Sequence, residues 1–469
     1  MLYSESKDLV QVKKLIDEFK LEEADQLIKH FEEKEGHTPY DVVLCHSLKC
    51  ELLLWQGLYD DTVKLAEKTY KESLGLGKKL ISVDILLTMA MALLTMGQGQ
   101  TEKAHDIINE GEELLKNLTI ESPKEYKQRE QKIAHAKGWA YEQKSKVDQA
   151  IKQFERSISL GKELDLKPEI SMSLVGLAHV FMNRKGDVDH ALTYLKQGLA
   201  YAEESGNRNA IAYCFLYLAG VYLYKGELDQ SVLLFEQSLA IYNEINNKVM
   251  KARVLINLGN TYAMIGELNR SISAYEQCLE LCNELNYKYF TGITYNTLSE
   301  SYRMKGDLEH ALECIEQSNR INRELGTLRN LAINQDSLIK ISIEMGDLEQ
   351  AQNSLREFEQ LNNQLKDRFV NSVYLFDKAL LLKTSPRAHN RVKAEEILRQ
   401  ILEEEDLHFE LLIGVLLGLC ELLLTELRIT NDTEIFEEIR PFISRLLDLS
   451  EKSHSFWILG ETYLLQAKL

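Results

Sequence analysis

A glycine followed by an acid and then an aliphatic residue recurs at a fixed step along the chain. The copies are Gly186-Asp187-Val188, Gly226-Glu227-Leu228, Gly266-Glu267-Leu268, Gly306-Asp307-Leu308 and Gly346-Asp347-Leu348, spaced 40 residues apart. A small residue stands five positions after each glycine: Ala191, Ser231, Ser271, Ala311 and Ala351. A large apolar residue comes four positions later: Leu195, Phe235, Tyr275, Ile315 and Leu355. Chance does not hold three registers in step through five copies. A repeat of this length is one supersecondary unit that buries its apolar face only by stacking on its neighbours, so the chain must be a solenoid.

Each unit reads as two helices. Before Gly266, Val254, Leu255, Leu258 and Tyr262 recur at three- and four-residue spacing, which is one helical face. Gly266 ends that helix, where a left-handed backbone is commonly needed. Glu267 opens the next, at the positive end of its dipole. Ile272, Tyr275, Leu279 and Cys282 form the second apolar stripe. Ser271 is small enough to let the two helices cross closely. Outside the sharp copies the pattern weakens but continues. Ala150 and Phe154 repeat the small-then-large pair, with Ser145 in the glycine slot, and Ala394 and Leu398 repeat it downstream. Pro39, Pro123 and Pro168 fall where first helices should begin. Pro441 lies inside an expected helix and predicts a kink. The expectation is one continuous array over 1–469 with roughly ten or eleven helical pairs, sharp over 147–365 and degenerate over 1–146 and 366–469. The fold class is all-α, a right-handed superhelical solenoid of helix-turn-helix repeats.

Leu255 to Leu281 resembles a tetratricopeptide repeat. Leu258, Gly259, Tyr262, Ser271 and Tyr275 match that family's Leu-Gly, Tyr, small and aromatic positions, while Leu255 stands where the family usually has Trp. The 40-residue period exceeds the ordinary 34 and also fits HEAT repeats. The Gly-acid turn and the small-then-aromatic second helix favour the tetratricopeptide reading. The longer period is similar to Pins-type polarity adaptors, kinesin light chains and the sensor regions of some bacterial transcription activators. The resemblance implies that the first helix of each pair lines a concave groove. It implies candidate peptide-binding residues there: Tyr213, Leu216, Tyr224, Arg253, Asn260, Asn296, Arg303 and Lys340. Asn can clamp an extended backbone with donor and acceptor together. Arg can fork onto a ligand carboxylate.

Catalytic and metal chemistry find no footing in the sequence. It holds no Gly-x-Ser-x-Gly elbow, no phosphate-loop Gly-x-x-x-x-Gly-Lys and no His-Glu-x-x-His. Gly97 and Gly99 follow no strand and read as an inter-helix turn. Cys45 and Cys50 are five apart on one helix, on different faces, and read as core rather than metal ligands. Cys278 occupies the small slot of its repeat. The expectation is therefore a non-enzyme with no cofactor.

The partner class follows from charge. Lys and Arg number 55 against 73 Asp and Glu, a net charge of −18 that repels phosphate backbones and disfavours nucleic acid. Over 401–469 acids again outnumber bases, which reads as a solvated face or as a dock for a basic partner. The start MLYSESKDLV is polar, and the strongly apolar run Leu411–Cys420 is too short to span a bilayer, so no membrane role is expected. Seven scattered cysteines suggest free thiols in a reducing, cytoplasmic setting. The expected function is a scaffold or adaptor that binds a peptide or short helix in the groove. The alternative is a ligand- or peptide-sensing module that controls a signalling or transcription partner. Residues 456–465 read as the first helix of a further pair, and its apolar Trp457, Tyr463 and Leu464 predict either a longer natural protein or self-association.

Overall fold

A computed structural model describes residues 6–77, 79–96, 98–118, 122–404, 407–453 and 455–468. Gly97 therefore lies outside the described residues; Gly99 sits in a single 3-10 turn, Gln98–Gln100. Among the described residues there are 23 α-helices and no strand. The first eight are α1 (Lys7–Asp17), α2 (Leu21–Glu32), α3 (Pro39–Gln56), α4 (Tyr59–Gly75), α5 (Lys79–Met96), α6 (Thr101–Lys116), α7 (Pro123–Gln143) and α8 (Val147–Leu164). Next come α9 (Lys167–Lys185), α10 (Val188–Ser205), α11 (Arg208–Lys225), α12 (Leu228–Glu244), α13 (Lys248–Ile265), α14 (Leu268–Glu284), α15 (Lys288–Met304) and α16 (Leu308–Leu325). The last are α17 (Leu328–Met345), α18 (Leu348–Leu365), α19 (Arg368–Lys383), α20 (Ala388–Leu402), α21 (Phe409–Thr430), α22 (Thr433–Ser453) and α23 (Phe456–Lys468).

The repeated Gly-acid step now has a mechanism. Gly186, Gly226, Gly266, Gly306 and Gly346 all have positive φ and reverse the chain after a first helix. Ser145 in the glycine slot adopts the same left-handed backbone, φ 55. Where the acid is Asp it caps the second helix: Asp187, Asp307 and Asp347 accept the backbone N–H of His190, His310 and Gln350 at 3.1, 3.3 and 2.9 Å. Glu267 makes no such cap; its carboxylate instead holds Arg270 at 2.7 Å.

The small position works as expected. Ala191, Ser231, Ser271, Ala311 and Ala351 are all fully buried. The hydroxyls of Ser271 and Ser301 lie 2.8 Å apart where second and first helices of neighbouring repeats meet. Gly259 serves the large position. A Cβ there would stand 2.5 Å from the Tyr275 ring, so only glycine lets that ring lie flat on α13. The same device recurs in α7 and α9, where Gly138 and Gly176 face the Phe154 ring.

The helices fall into two compact units, residues 1–221 with 236–251 and residues 222–235 with 252–469. In both, first helices touch the next first helix as well as their own partners, for example α5 with α7 and α17 with α19. Within the first unit, Asn246 donates to Glu22 at 2.6 Å, Ile245 joins the core of α1 to α3, and Val249 presses on Gly57. Within the second, the Phe409 ring seats on Gly226 and the Ser455 hydroxyl donates to the Met264 carbonyl at 2.6 Å. The apolar helix α5 is long enough to cross a membrane by composition, yet more than half of it is buried in the first unit. Its acid, Asp84, pairs with Arg129 at 2.6 Å. Pro441 lies inside α22 without ending it. All seven cysteines are buried and unpaired; Cys45 and Cys50 belong to different core clusters.

Candidate functional site

Residues at one position of successive first helices lie about 40 apart in sequence and side by side in space. Polar side chains there must find partners on the neighbouring helix or stay wet. In the first unit Arg184 of α9 bonds Glu142 of α7 at 3.0 Å, and His135 of α7 meets Ser173 of α9 at 3.0 Å. The indole N–H of Trp139 donates to Nε2 of His135, which leaves Nδ1 to carry the proton toward Ser173. In the second unit Asn296 of α15 donates to Ser337 of α17 at 3.0 Å.

The second unit carries the denser set. Arg303 of α15 forks onto Glu300 one turn back, at 2.9 and 2.5 Å, and reaches Glu344 of α17 with its remaining nitrogen. Lys340 of α17 holds Asp336 at 2.8 Å. Burial opposes ionisation of Glu300, but Arg303 outweighs it and draws the carboxyl down to about 2. Burial likewise opposes the charge on Lys340; Asp336 and Glu300 outweigh it and keep the ammonium protonated.

Two further acids stand in electrostatic reach of Lys340. Asp377 of α19 is fully buried, and neither carboxylate oxygen has a hydrogen-bond partner. Burial and the facing Asp336 push its carboxyl well above the usual range. Glu410, in the first turn of α21, is open to solvent by surface area. Desolvation raises its carboxyl above the ordinary range; Glu300 and Asp336 add to the rise, and Lys340 and Arg303 oppose it. Two positions before it, His408 lies between the rings of Tyr224 and Phe369, at 5.3 and 5.7 Å.

All eight sequence-predicted groove residues sit on first helices: Tyr213, Leu216 and Tyr224 on α11, Arg253 and Asn260 on α13, Asn296 and Arg303 on α15, Lys340 on α17. Tyr213 and Leu216 belong to the first unit and the other six to the second. Leu216 is core, 4% exposed. Tyr213 meets the Tyr217 hydroxyl at 3.1 Å. Asn260 accepts from the Tyr275 hydroxyl at 2.5 Å, so its amide fixes the helix pair. Arg253 lies over the Phe290 ring at 5.9 Å. The fork expected of Arg303 is closed on Glu300 and Glu344 of the chain itself. The structure therefore brings Arg303 and Lys340 together with Glu300 and Asp336 of the same two helices. Asp377, Glu344 and Glu410 were not foreseen. The one sequence signal for Asp377 is an acid inside the apolar run VYLFDKALLL.

The MalT-like TPR region family matches residues 212–467, and tetratricopeptide-repeat families match 169–244 and 132–161. No curated protein is detectably similar in sequence. Among solved structures, a Rap protein complexed with Competence and Sporulation Factor shares 16% identity at a TM-score of 0.54, covering 76% of this chain and 97% of its own. The apo form of RapI shares 13% identity at 0.51, covering 77% and 96%. The Rap conjugation gene regulator of plasmid pLS20, in complex with a peptide, shares 14% at 0.51, covering 76% and 95%. At these identities the likeness is one of fold. With helix pairs of 40-residue period, left-handed turn glycines and buried small crossings throughout its sharp repeats, the chain belongs to the MalT-like tetratricopeptide-repeat family.

Proposed function

We propose that this chain is a non-catalytic interaction module that binds a peptide against the first helices of its second unit. The observation that carries the reading is the set of linked charged side chains on α15 and α17, where Arg303 pairs with Glu300 and Glu344 and Lys340 with Asp336. Buried charges give a scaffold little net stability, because desolvation offsets their attraction. A set of them on successive first helices is better explained by a ligand. Two of the solved Rap structures hold such partners, one Competence and Sporulation Factor and one a peptide.

A sensing role is the second reading, and the bridge from Arg303 to Glu344 favours it. That contact ties α15 to α17, so a ligand that draws either charge away would alter how neighbouring repeats meet. Fluorescence anisotropy with a panel of labelled synthetic heptapeptides tests the proposal. The expected result is micromolar binding by some peptides, weakened at least tenfold by Glu410→Lys and unchanged by Glu313→Lys on the exposed face of α16. Equal loss with both variants, or no binding by any peptide, would contradict it.

A further inference from the structure

Leu459-Gly460-Glu461-Thr462-Tyr463 of α23 repeats Leu258-Gly259-Asn260-Thr261-Tyr262 of α13 at all but the middle position. In α13 the pattern is filled: the Tyr275 ring of α14 lies against Gly259, and Tyr262 is buried. The Phe154 ring of α8 does the same at Gly138 of α7. In α23 the pattern is open. A Cβ on Gly460 would meet nothing within 4 Å, and Tyr463 is 57% exposed where Tyr262 is 5%. Trp457, Gly460, Leu464 and Ala467 recur at three- and four-residue spacing on one side of the helix, with Tyr463 beside them. All five are exposed and none carries a charge. The opposite side is already used, since Ile458, Thr462 and Leu465 are buried where α23 rests on α21 and α22. Glycine weakens a helix relative to alanine, and no contact among the described residues requires it at position 460.

We propose that this side of α23 is a contact between two copies of the chain, their helices crossing antiparallel at Gly460. The reason is that the face complements itself. A two-fold interface sets residue i against residue j and j against i. Trp457 and Tyr463 stand three positions either side of the glycine. An antiparallel crossing at Gly460 therefore puts Trp457 of each copy against Tyr463 of the other. The paired glycines at the axis let the two backbones approach closely, as Gly259 lets the Tyr275 ring approach α13. Removing two large rings per copy from water drives the association. The net charge of −18 opposes it, because like-charged copies repel until salt screens them. A helix of 13 residues is about 20 Å long, so the contact is small and the dimer is a weak one, dissociating at micromolar concentrations.

Sedimentation equilibrium of the whole chain over a concentration series tests the contact. The expected result is a monomer–dimer equilibrium in the micromolar range that strengthens with added salt. Gly460→Leu is the sharpest variant. It adds apolar surface where the chain has open space, so helicity by circular dichroism should be kept. Indiscriminate stickiness would rise with it, whereas a close crossing at the glycine is blocked and the dimer should weaken at least tenfold. Tyr463→Glu, at an exposed position, should weaken it as much. Orientation is read by mixing Trp457→Cys and Tyr463→Cys chains under mild oxidation, which should yield the mixed disulfide in preference to either like pair. A chain that stays monomeric at every concentration would overturn the proposal and leave the face to a helix of another protein. A dimer that survives Gly460→Leu, or like-pair disulfides in excess, would overturn it as well.

Discussion

Asp377 shows most clearly how one side chain departs from what the fold alone would choose. Its folded pKa is raised above the ordinary carboxylate value, so the folded state holds the proton more firmly than the unfolded chain does. The stability it contributes is fully present below the unfolded value and is lost as pH rises through the folded one. Asp377→Asn should therefore be more stable than wild type at pH 8, by about 1–3 kcal/mol, with the difference shrinking toward pH 4. Urea titrations across that range check it, and a constant or reversed difference would show that Asp377 has a donor. Glu300 has the opposite sign. Its carboxyl is drawn down to about 2, so its contribution is present above its unfolded value near 4.5 and lost as pH falls toward 2. Glu300→Gln should cost roughly 2 kcal/mol at neutral pH, as a charged hydrogen bond is lost, and should flatten that acid limb. An acid limb as steep as the wild type's would place the proton uptake elsewhere.

At the scale of the element, the helix pair was largely legible in advance. Periodicity located the turns, and glycine chemistry explained them. Leu258-Gly259 of α13 was read as a family position, but its reason needed coordinates: Gly259 leaves the space that the Tyr275 ring fills. Gly259→Ala should thus cost about 1–3 kcal/mol by overpacking, and Ser271→Trp at least as much. Wild-type hydrogen-exchange protection over α13–α14 in either variant would refute the crossing. Turn glycines differ in a way the sequence hides. Gly226 and Gly306 share positive φ, but a Cβ on Gly226 also meets the Phe409 ring at 2.7 Å, whereas Gly306 has open space. Gly226→Ala should be the more damaging by at least 1 kcal/mol, since steric crowding adds to backbone strain. Equal costs in chemical denaturation would show that α21 does not seat on that turn.

For the molecule as a whole, local pattern reached less far. Contacts such as Ser455 with Met264, or Asn246 with Glu22, join segments 191 and 224 residues apart, each within one unit. Asn246 recurs 40 residues on as Asn286, yet nothing in the period names Glu22 as its partner. The charged set was half legible for the same reason. Arg303, Lys340, Glu300 and Asp336 lie on the 40-residue register, whereas Glu410 comes from the degenerate stretch beyond it. The expected carboxylate fork was a fair reading of Arg303 alone; the charge balance of its surroundings inverts it. Hydrogen–deuterium exchange with the tightest-binding heptapeptide tests the central claim most directly, that ligand is read by the first helices of the second unit. Protection should rise on α15, α17, α19 and the first turn of α21, and remain unchanged on α16 and α18. Protection confined to α16 and α18, or none at saturating peptide, would contradict it.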